Sequence, residues 1–500
     1  MMSMKPKKAP ASPRFPSVSD SRKLLAQGKL SAAELLAEHL GTISARNPVL
    51  NALPTLCVER ALDEAKALDQ QLTAQRNKAA AGHARGVGPL AGMVYCAKDM
   101  HDTEGVRTTY GSPIFAHRIP KKDAEIVRRI RAAGALLVGK SNTPEFAAGA
   151  QTFNQVFGAT RNPWDVSRTC GGSTGGGAVA LASGMVMLAD GSDLSASLRN
   201  PASFCGVVGL RPSSHLEPRL QTGLNPFNTL SMVGPMARTV ADTRELFLAI
   251  FDPQGCQPDR TLMDWVTLRS RQAATRQQRI PDRGGRPLRL GWAPDWGGLP
   301  VQHEVAALLK NTRAQLESQG IELVEGFPGL PDYREAFMTL RGEYFVSELS
   351  ELYQHHRSAL KETVVWNIEQ GMALTCSEIA RAQKTRSITL ARVERYMREH
   401  DLDGIAGATS QVLPFDLDTP FITEINGKSL DTYIDWVASN FWVAVAGLPA
   451  ISIPAGLTTD SVGGSPLPVG LQIVGRWGED MALLDTAEAI ETLLNFSSQR

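Results

Sequence analysis

The stretch "GGSTGGGAVALASGMVMLADGSDLSASLRNP", residues 171–201, combines bare backbone with a surplus of hydroxyls and holds no histidine. Glycine occupies 171, 172 and 175–177, and the hydroxyls that stand out are Ser173, Thr174, Ser192, Ser195 and Ser197. A phosphate cradle would carry GxxxxGK(S/T), and a dinucleotide site GxGxxG with an acidic residue about 20 positions on. Neither pattern is present. Glycines that let a helix pack closely on a sheet explain the bare backbone but not the hydroxyls. A serine nucleophile needs a base and an oxyanion hole. The nearest histidines, His101, His117 and His215, lie outside any GxSxG elbow. Lysine is the other candidate base. In "YCAKDM", Lys98 ends the apolar run "LAGMVYCA", so a strand there would carry its amine into the interior. Taken alone, a lysine at a strand end reads equally as a solvated charge.

Outward from this stretch the pattern alternates helix and strand. "SAAELLAEHL" opens with a capping box, Ser31 and Glu34, and continues with apolar residues at helical spacing. "KKDAEIVRRIRAAGALLVGKSNTPEF" reads as helix, Gly134 and a short apolar strand. "LRLGW", a helix through "HEVAALLKNTRAQLESQG", and "IELVEG" repeat the alternation, and "PAISIPAG", "PVGLQIVG" and "EDMALLDTAEAIETLLN" add two strands and a last helix. The expected fold is α/β: a large mixed β-sheet covered on both faces by helices, in a single large domain over residues 20–500. Residues 1–19, basic and Pro/Ser-rich, are expected to be a disordered tail. Residues 252–287, rich in Arg, Gln, Pro and Gly, are expected to be a surface excursion, because strand and helix patterns continue on both sides.

The balance of 52 basic and 51 acidic residues, a formal charge of +1, gives no electrostatic reason for a nucleic-acid or anionic-membrane partner and favours a small neutral substrate. No apolar run approaches the ~18 residues of a membrane span, and the N-terminus has no secretory apolar segment. Six cysteines (Cys57, Cys96, Cys170, Cys205, Cys256, Cys376) form no CxxC pair and no ligand spacing with histidine. They read as buried thiols in a reducing, cytoplasmic setting, with no metal site and no cofactor expected.

The residues from 171 to 201 resemble the signature of the amidase signature family of serine hydrolases: "GGSTGGG", Asp193, Ser197 and then Leu198-Arg199-Asn200-Pro201. "GATRNPW" upstream, "FCGVVGLRPS" downstream, and the later "AGLPAISIPAG" and "PLPVGLQIVG" extend the resemblance from roughly residue 20 to 490. It implies Ser197 as nucleophile, Ser173 as bridging serine after a cis Gly172–Ser173 bond, and Lys98 as base. The oxyanion hole would be the backbone of Leu194, Ser195, Ala196 and Ser197. Asp193 and Arg199 read as structural, paired across the loop. A lysine base near neutral pH needs its pKa, ordinarily ~10.4, lowered by ~2–3 units through desolvation. The chain departs from the family where Ser195-Ala196 replaces the usual Gly-Gly. If that position requires φ > 0, Ser195 carries ~1–2 kcal/mol of strain. Thr174 in place of serine keeps the hydroxyl.

For the substrate, "EFAAGAQTFN" (145–154) resembles the family's acyl-pocket stretch, and Ala147 and Gly149 would leave room for a bulky acyl group. Trp436, Phe441 and Trp442 precede "AGLPA" as in stand-alone hydrolases of aryl or alkyl amides, and Trp436 is taken as substrate-binding; core packing is the other reading of these aromatics. The expected enzyme cleaves an aryl or alkyl amide, with esters or carbamates as further substrates, as a monomer or homodimer. Two alternatives stand: a glutamine-hydrolysing amidotransferase A-type subunit, and an inactive binding protein on the same fold.

Overall fold

Apolar runs without alternation become the strands of one sheet. The computed structural model describes residues 16–80, 87–214, 216, 229–251, 286–459 and 465–496. The strands are β1 (Thr55–Leu56), β2 (Val94–Lys98), β3 (Leu136–Ser141), β4 (Phe153–Asn154), β5 (Gly158–Ala159), β6 (Leu188–Asp193), β7 (Val208–Arg211), β8 (Met232–Ala237), β9 (Arg289–Trp292), β10 (Glu322–Glu325), β11 (Gly404–Ala408), β12 (Glu424–Ile425), β13 (Lys428–Ser429), β14 (Ala450–Leu457) and β15 (Pro468–Val474). Eleven of them form one mixed sheet in the order β1-β3-β2-β6-β8-β7-β14-β15-β11-β9-β10. Every residue of β2, β3 and β15 is buried. Two covered faces require this, and it is why these strands lack the polar alternation of a half-exposed sheet.

Parallel pairing sets the site. β2 runs parallel to both β3 and β6, so the carboxyl ends of β2 and β6 emerge at one edge, with Lys98 ending the first and Asp193 the second. Between them in sequence lies the helix Gly175–Ala182, buried from Gly175 to Leu181. A Cβ at Gly176 would sit 2.3 Å from Asn142 N and 2.6 Å from Ala52 O, so this glycine serves close packing.

A further layer, outside the elements read from the sequence, consists of helices Tyr333–His356, Glu362–Met372 and Cys376–Glu399; the first packs against the other two, and its Ala336, Phe337 and Leu340 share a core cluster with Ala196. Asp332 caps the first by accepting the Glu335 N–H, and Thr375 with Glu378 forms a capping box on the third.

Two expectations need correction. A helix Val18–Ala26 begins inside the segment read as tail: Ser17 caps it, Val18 is buried, and the Val18 N–H donates to Asp242 Oδ1 at 2.9 Å. Residues 1–15 lie outside the described residues, as do 252–285 of the expected excursion. Nor are all the cysteines buried. Cys96, Cys170 and Cys205 are, but Cys57 is half-buried and Cys376 is exposed, being the first residue of its helix on a surface turn; Cys256 lies outside the described residues.

Candidate active site

Lys98 is fully buried, and its Nζ lies 2.7 Å from Ser173 Oγ, 3.0 Å from Thr174 Oγ1, 3.0 Å from Ser192 Oγ and 3.5 Å from Ser192 O. Burial pushes the amine down to about 7, against the raising pull of Asp190 and Asp193. Three of the four neighbours are hydroxyls, which both give and accept hydrogen bonds. Lys98 Nζ donates to all three as placed, and a neutral amine, having one lone pair, can accept from one of them while donating to the other two. Behind it, Asp190 accepts the Lys98 backbone N–H at 2.7 Å and lies 2.6 Å from His101 Nδ1. Burial works to raise the Asp190 pKa, but His101 and these hydrogen bonds outweigh it and hold the carboxyl below its usual value. His101 thus faces Asp190 and neither serine. His117 is exposed, and His215 lies outside the described residues.

The Gly172–Ser173 peptide is cis. Lys98 and Ser173 are fully buried and Ser197 is 8% exposed, so of the three Ser197 lies nearest the surface. The Thr174 N–H donates to Ser197 O at 3.1 Å and ties the two serine-bearing loops together. Among the described residues no hydrogen bond joins Ser173 Oγ to Ser197 Oγ.

The loop Leu194–Ser197 presents four consecutive backbone N–H groups, and none of them is used in a hydrogen bond among the described residues. The Asp193 carboxylate organises the loop from below. It accepts the Leu198 N–H at 3.1 Å and receives Arg199 Nε at 3.1 Å and Nη2 at 3.0 Å, all fully buried. Burial alone would raise its pKa; Arg199, Arg211 and the Leu198 N–H hold it below the usual value instead. Neither Ser195 nor Ala196 has positive φ, so the strain expected there does not arise. It lies elsewhere, at Phe146 (φ 47°) and Ala147 (φ 56°) in the turn Glu145–Ala147.

Ala147 and Gly149 are half-buried on that turn, and a Cβ on Gly149 would meet nothing within 4 Å. Trp436 belongs to the packed cluster that contains Ala196, but at 1% exposure its ring is taken up by Phe204 and Phe415, with centroids at 6.1 and 5.2 Å. Phe441 stacks on Phe337, and Trp442 packs with Trp296 and Phe327, so both are core residues. The partly exposed apolar groups on the Ala196 cluster include Leu194, Phe421, Ile422 and Tyr433, none of them except Leu194 singled out from the sequence. Gln151 holds their segment in place: its Nε2 donates to Thr419 O and Pro420 O at 2.6 Å each. The Gln151 backbone lies 2.8–3.0 Å from where a Cβ on Gly172 would project.

A family model described as Amidase matches residues 34–484. The chain belongs to the amidase family. It is an amidase, a hydrolase of C–N amide bonds. The A-type subunit of glutamyl-tRNA(Gln) amidotransferase from Moorella thermoacetica is 34% identical over 505 residues, covering 95% of this chain and 96% of that one. An acylamidase of Rhodococcus erythropolis is 29% identical, covering 95% of each. Among solved structures, a bacterial aryl acylamidase of the amidase signature family superposes with a TM-score of 0.81 at 23% identity, covering 97% of each chain. In this amidase no helix among the described residues is long and apolar enough to cross a membrane.

Asp190, Gln151 and Arg211 were not singled out from the sequence either. Arg211, at the end of β7, is fully buried and donates through Nη1 to the backbone carbonyl of Asp193. The signal was there: like Lys98, it is a cation closing an apolar run, "CGVVGLR".

Proposed function

We propose that this amidase hydrolyses neutral amides with an aryl or alkyl acyl group through an acyl-enzyme on Ser197. The observation that carries the reading is the buried Lys98 amine, lowered to about 7 and 2.7 Å from Ser173 Oγ, in a site that also holds the four unused N–H groups of Leu194, Ser195, Ala196 and Ser197. Neutral Lys98 takes the Ser173 proton, Ser173 takes the Ser197 proton, and Ser197 Oγ attacks the amide carbon. The carbonyl oxygen becomes negative among the N–H groups of Leu194, Ser195, Ala196 and Ser197. The relay then returns the proton to the leaving amine. Water attacks the ester with the relay again as base, and the acid departs. The gap between Ser173 and Ser197 closes when substrate fills the site, as catalytic hydrogen bonds tighten in the Michaelis complex.

The acyl preference follows from the wall. Leu194, Phe421, Ile422 and Tyr433 offer apolar surface, and the open side of Gly149 offers room. Burial of an acyl group is rewarded at ~25 cal/mol per Å². On the adjoining elements Arg334 is ion-paired with Asp435 at 2.8 Å, and the donors of Arg341 are taken up by two neutral groups, Asn367 and the Tyr433 hydroxyl, at 2.8 and 2.7 Å. An α-amino acid substrate needs such groups unpaired. The isolated chain should therefore show kcat/KM for an aromatic or medium-chain amide at least ~10² above that for glutamine. A fluorophosphonate should label Ser197. Equal kcat/KM for both substrates would overturn the acyl preference, and labelling elsewhere would overturn the site.

The second reading, a glutamine-hydrolysing amidotransferase A-type subunit, is favoured by the 34% identity to the Moorella thermoacetica protein, higher than the 29% to the acylamidase. Glutamine turnover by the purified chain, without turnover of apolar amides, would put it first.

A further inference from the structure

We infer that Arg211 and Arg199 are positioning residues that aim the Leu194 and Ala196 N–H groups at the substrate carbonyl. This rests on the reading of Ser197 as nucleophile and of the 194–197 loop as oxyanion hole.

Arg211 Nη1 donates to the Asp193 carbonyl, and Arg199 Nη2 donates to the Ser195 carbonyl. The Asp193 carbonyl belongs to the same peptide unit as the Leu194 N–H, and the Ser195 carbonyl to the same unit as the Ala196 N–H. Both units are trans, since the cis bond among the described residues is Gly172–Ser173. A planar trans peptide holds its C=O and N–H antiparallel. Fixing each oxygen toward a guanidinium therefore turns each N–H to the opposite side, where no protein acceptor meets it among the described residues. The two arginines are themselves fixed. Both side chains are fully buried, both approach the Asp193 carboxylate (3.0 Å for Arg199, 3.6 Å for Arg211), and Arg199 Nη1 also donates to Gln472 Oε1 at 2.5 Å. A charged donor on the oxygen also polarises the peptide, which strengthens its N–H as a donor. The effect appears when the carbonyl oxygen becomes an anion and is weak toward the neutral substrate. The arrangement also accounts for function without Gly-Gly: the loop reaches its orientation through two cations gripping carbonyls, with no positive φ at Ser195 or Ala196.

The test uses the full chain with Arg211→Met and Arg211→Lys, each normalised by active-site titration. It compares kcat and KM for an apolar amide with the Ki of a trifluoromethyl ketone bearing the same acyl group. That ketone adds to Ser197 Oγ and places a negative oxygen in the hole. Arg211→Met should lower kcat by on the order of 10²-fold, as loss of an oxyanion donor does, weaken the ketone by a similar factor, and leave KM within about threefold. Arg211→Lys, with one charged donor retained, should fall between. A purely structural arginine would lower melting temperature or titratable sites while leaving kcat per site and ketone affinity near wild type, and that result overturns the inference. If Arg211→Met does not fold, Arg211→Lys decides, with about tenfold parallel losses expected and unchanged values overturning it. Ser197→Ala separates the two levels: turnover retained there defeats the reading of the site itself, whereas a dead Ser197→Ala beside an unaffected Arg211 variant defeats only this inference.

Discussion

Lys98 ends β2 and Lys140 is the last residue but one of the neighbouring parallel strand β3, one step out of register, with Lys98 opposite Ser141 and Ala97 opposite Lys140. Both are fully buried, and burial lowers the pKa of both amines. Their partners differ. Lys98 meets three hydroxyls and a distant carbonyl, whereas Lys140 donates to the His101 carbonyl and to Thr103 Oγ1 at 2.7 Å, with Asp99, Asp190 and Asp102 favouring its charged form. The Thr103 hydroxyl gives its own proton to the His101 carbonyl at 3.1 Å, so toward Lys140 it too only accepts. A carbonyl can only accept, so it demands an N–H. A hydroxyl can hand over a proton. Besides burial, a base needs a hydroxyl that can give a proton to its lone pair, and the proposed mechanism assigns that hydroxyl to Ser173.

The largest expected effect tests this contrast directly. Lys98→Met should lower kcat by at least ~10³ in folded protein, while Lys140→Met changes kcat per folded molecule by less than about threefold. Equal losses in a steady-state assay normalised to folded enzyme would break the comparison.

Stability should run the other way. Lys140→Met leaves the His101 carbonyl without its charged donor, a loss of ~2 kcal/mol, read as a lower urea midpoint. Lys98→Met removes a desolvated amine among hydroxyls that can bond one another, and its midpoint should not fall as far.

pH sharpens the comparison further. With neutral Lys98 as the proposed base, kcat/KM should rise about tenfold per pH unit below about 7 and level off above it. The sign for folding follows from the same value. The folded pKa of about 7 lies below the unfolded ~10.4, so between those limits the unfolded chain binds more protons and stability rises with pH. In Lys98→Met that rise should be shallower in urea titrations from pH 7 to 10. An unchanged slope would show that Lys98 is charged in the folded state.

The smallest effect concerns the carboxylate that both lysines feel. Asp190 raises the Lys98 pKa, so Asp190→Asn should move the midpoint of the kcat/KM profile to lower pH by a fraction of a unit to about one unit. A shift to higher pH would mean that Asp190 acts through loop geometry instead of charge.

Much of the fold was legible because its strands are covered on both faces: "VYCAK", "LLVGKS" and "PVGLQIV" have no polar alternation and stand out as apolar runs. β6, "LADGSD", was not legible, since small and acidic residues have low strand propensity and only pairing with β2 and β8 makes it a strand. The three-helix layer from Tyr333 to Glu399 was passed over, and with it what packs against the Phe146–Ala148 turn. Strain at Ser195 depends on that position requiring φ > 0, which it does not; positive φ occurs at Phe146 and Ala147, because φ is set by how a loop is anchored and not by which residue a family usually places there.

By itself the sequence determined the chemical inventory: a lysine at the end of an apolar run, two serines in a glycine-rich frame, an Asp-Arg pair six residues apart, and a charge balance that leaves little for a polyanionic partner. These are matters of covalent order and spacing. Tertiary structure decided what the inventory can do. Only burial lowers Lys98 to about 7 while neighbouring Lys140 remains among carboxylates. Only the meeting of β6, β7 and the following helix Arg199–Cys205 brings two guanidiniums onto the carbonyls of one short loop. Desolvation and peptide orientation depend on everything packed around a residue, and no local stretch of sequence encodes them.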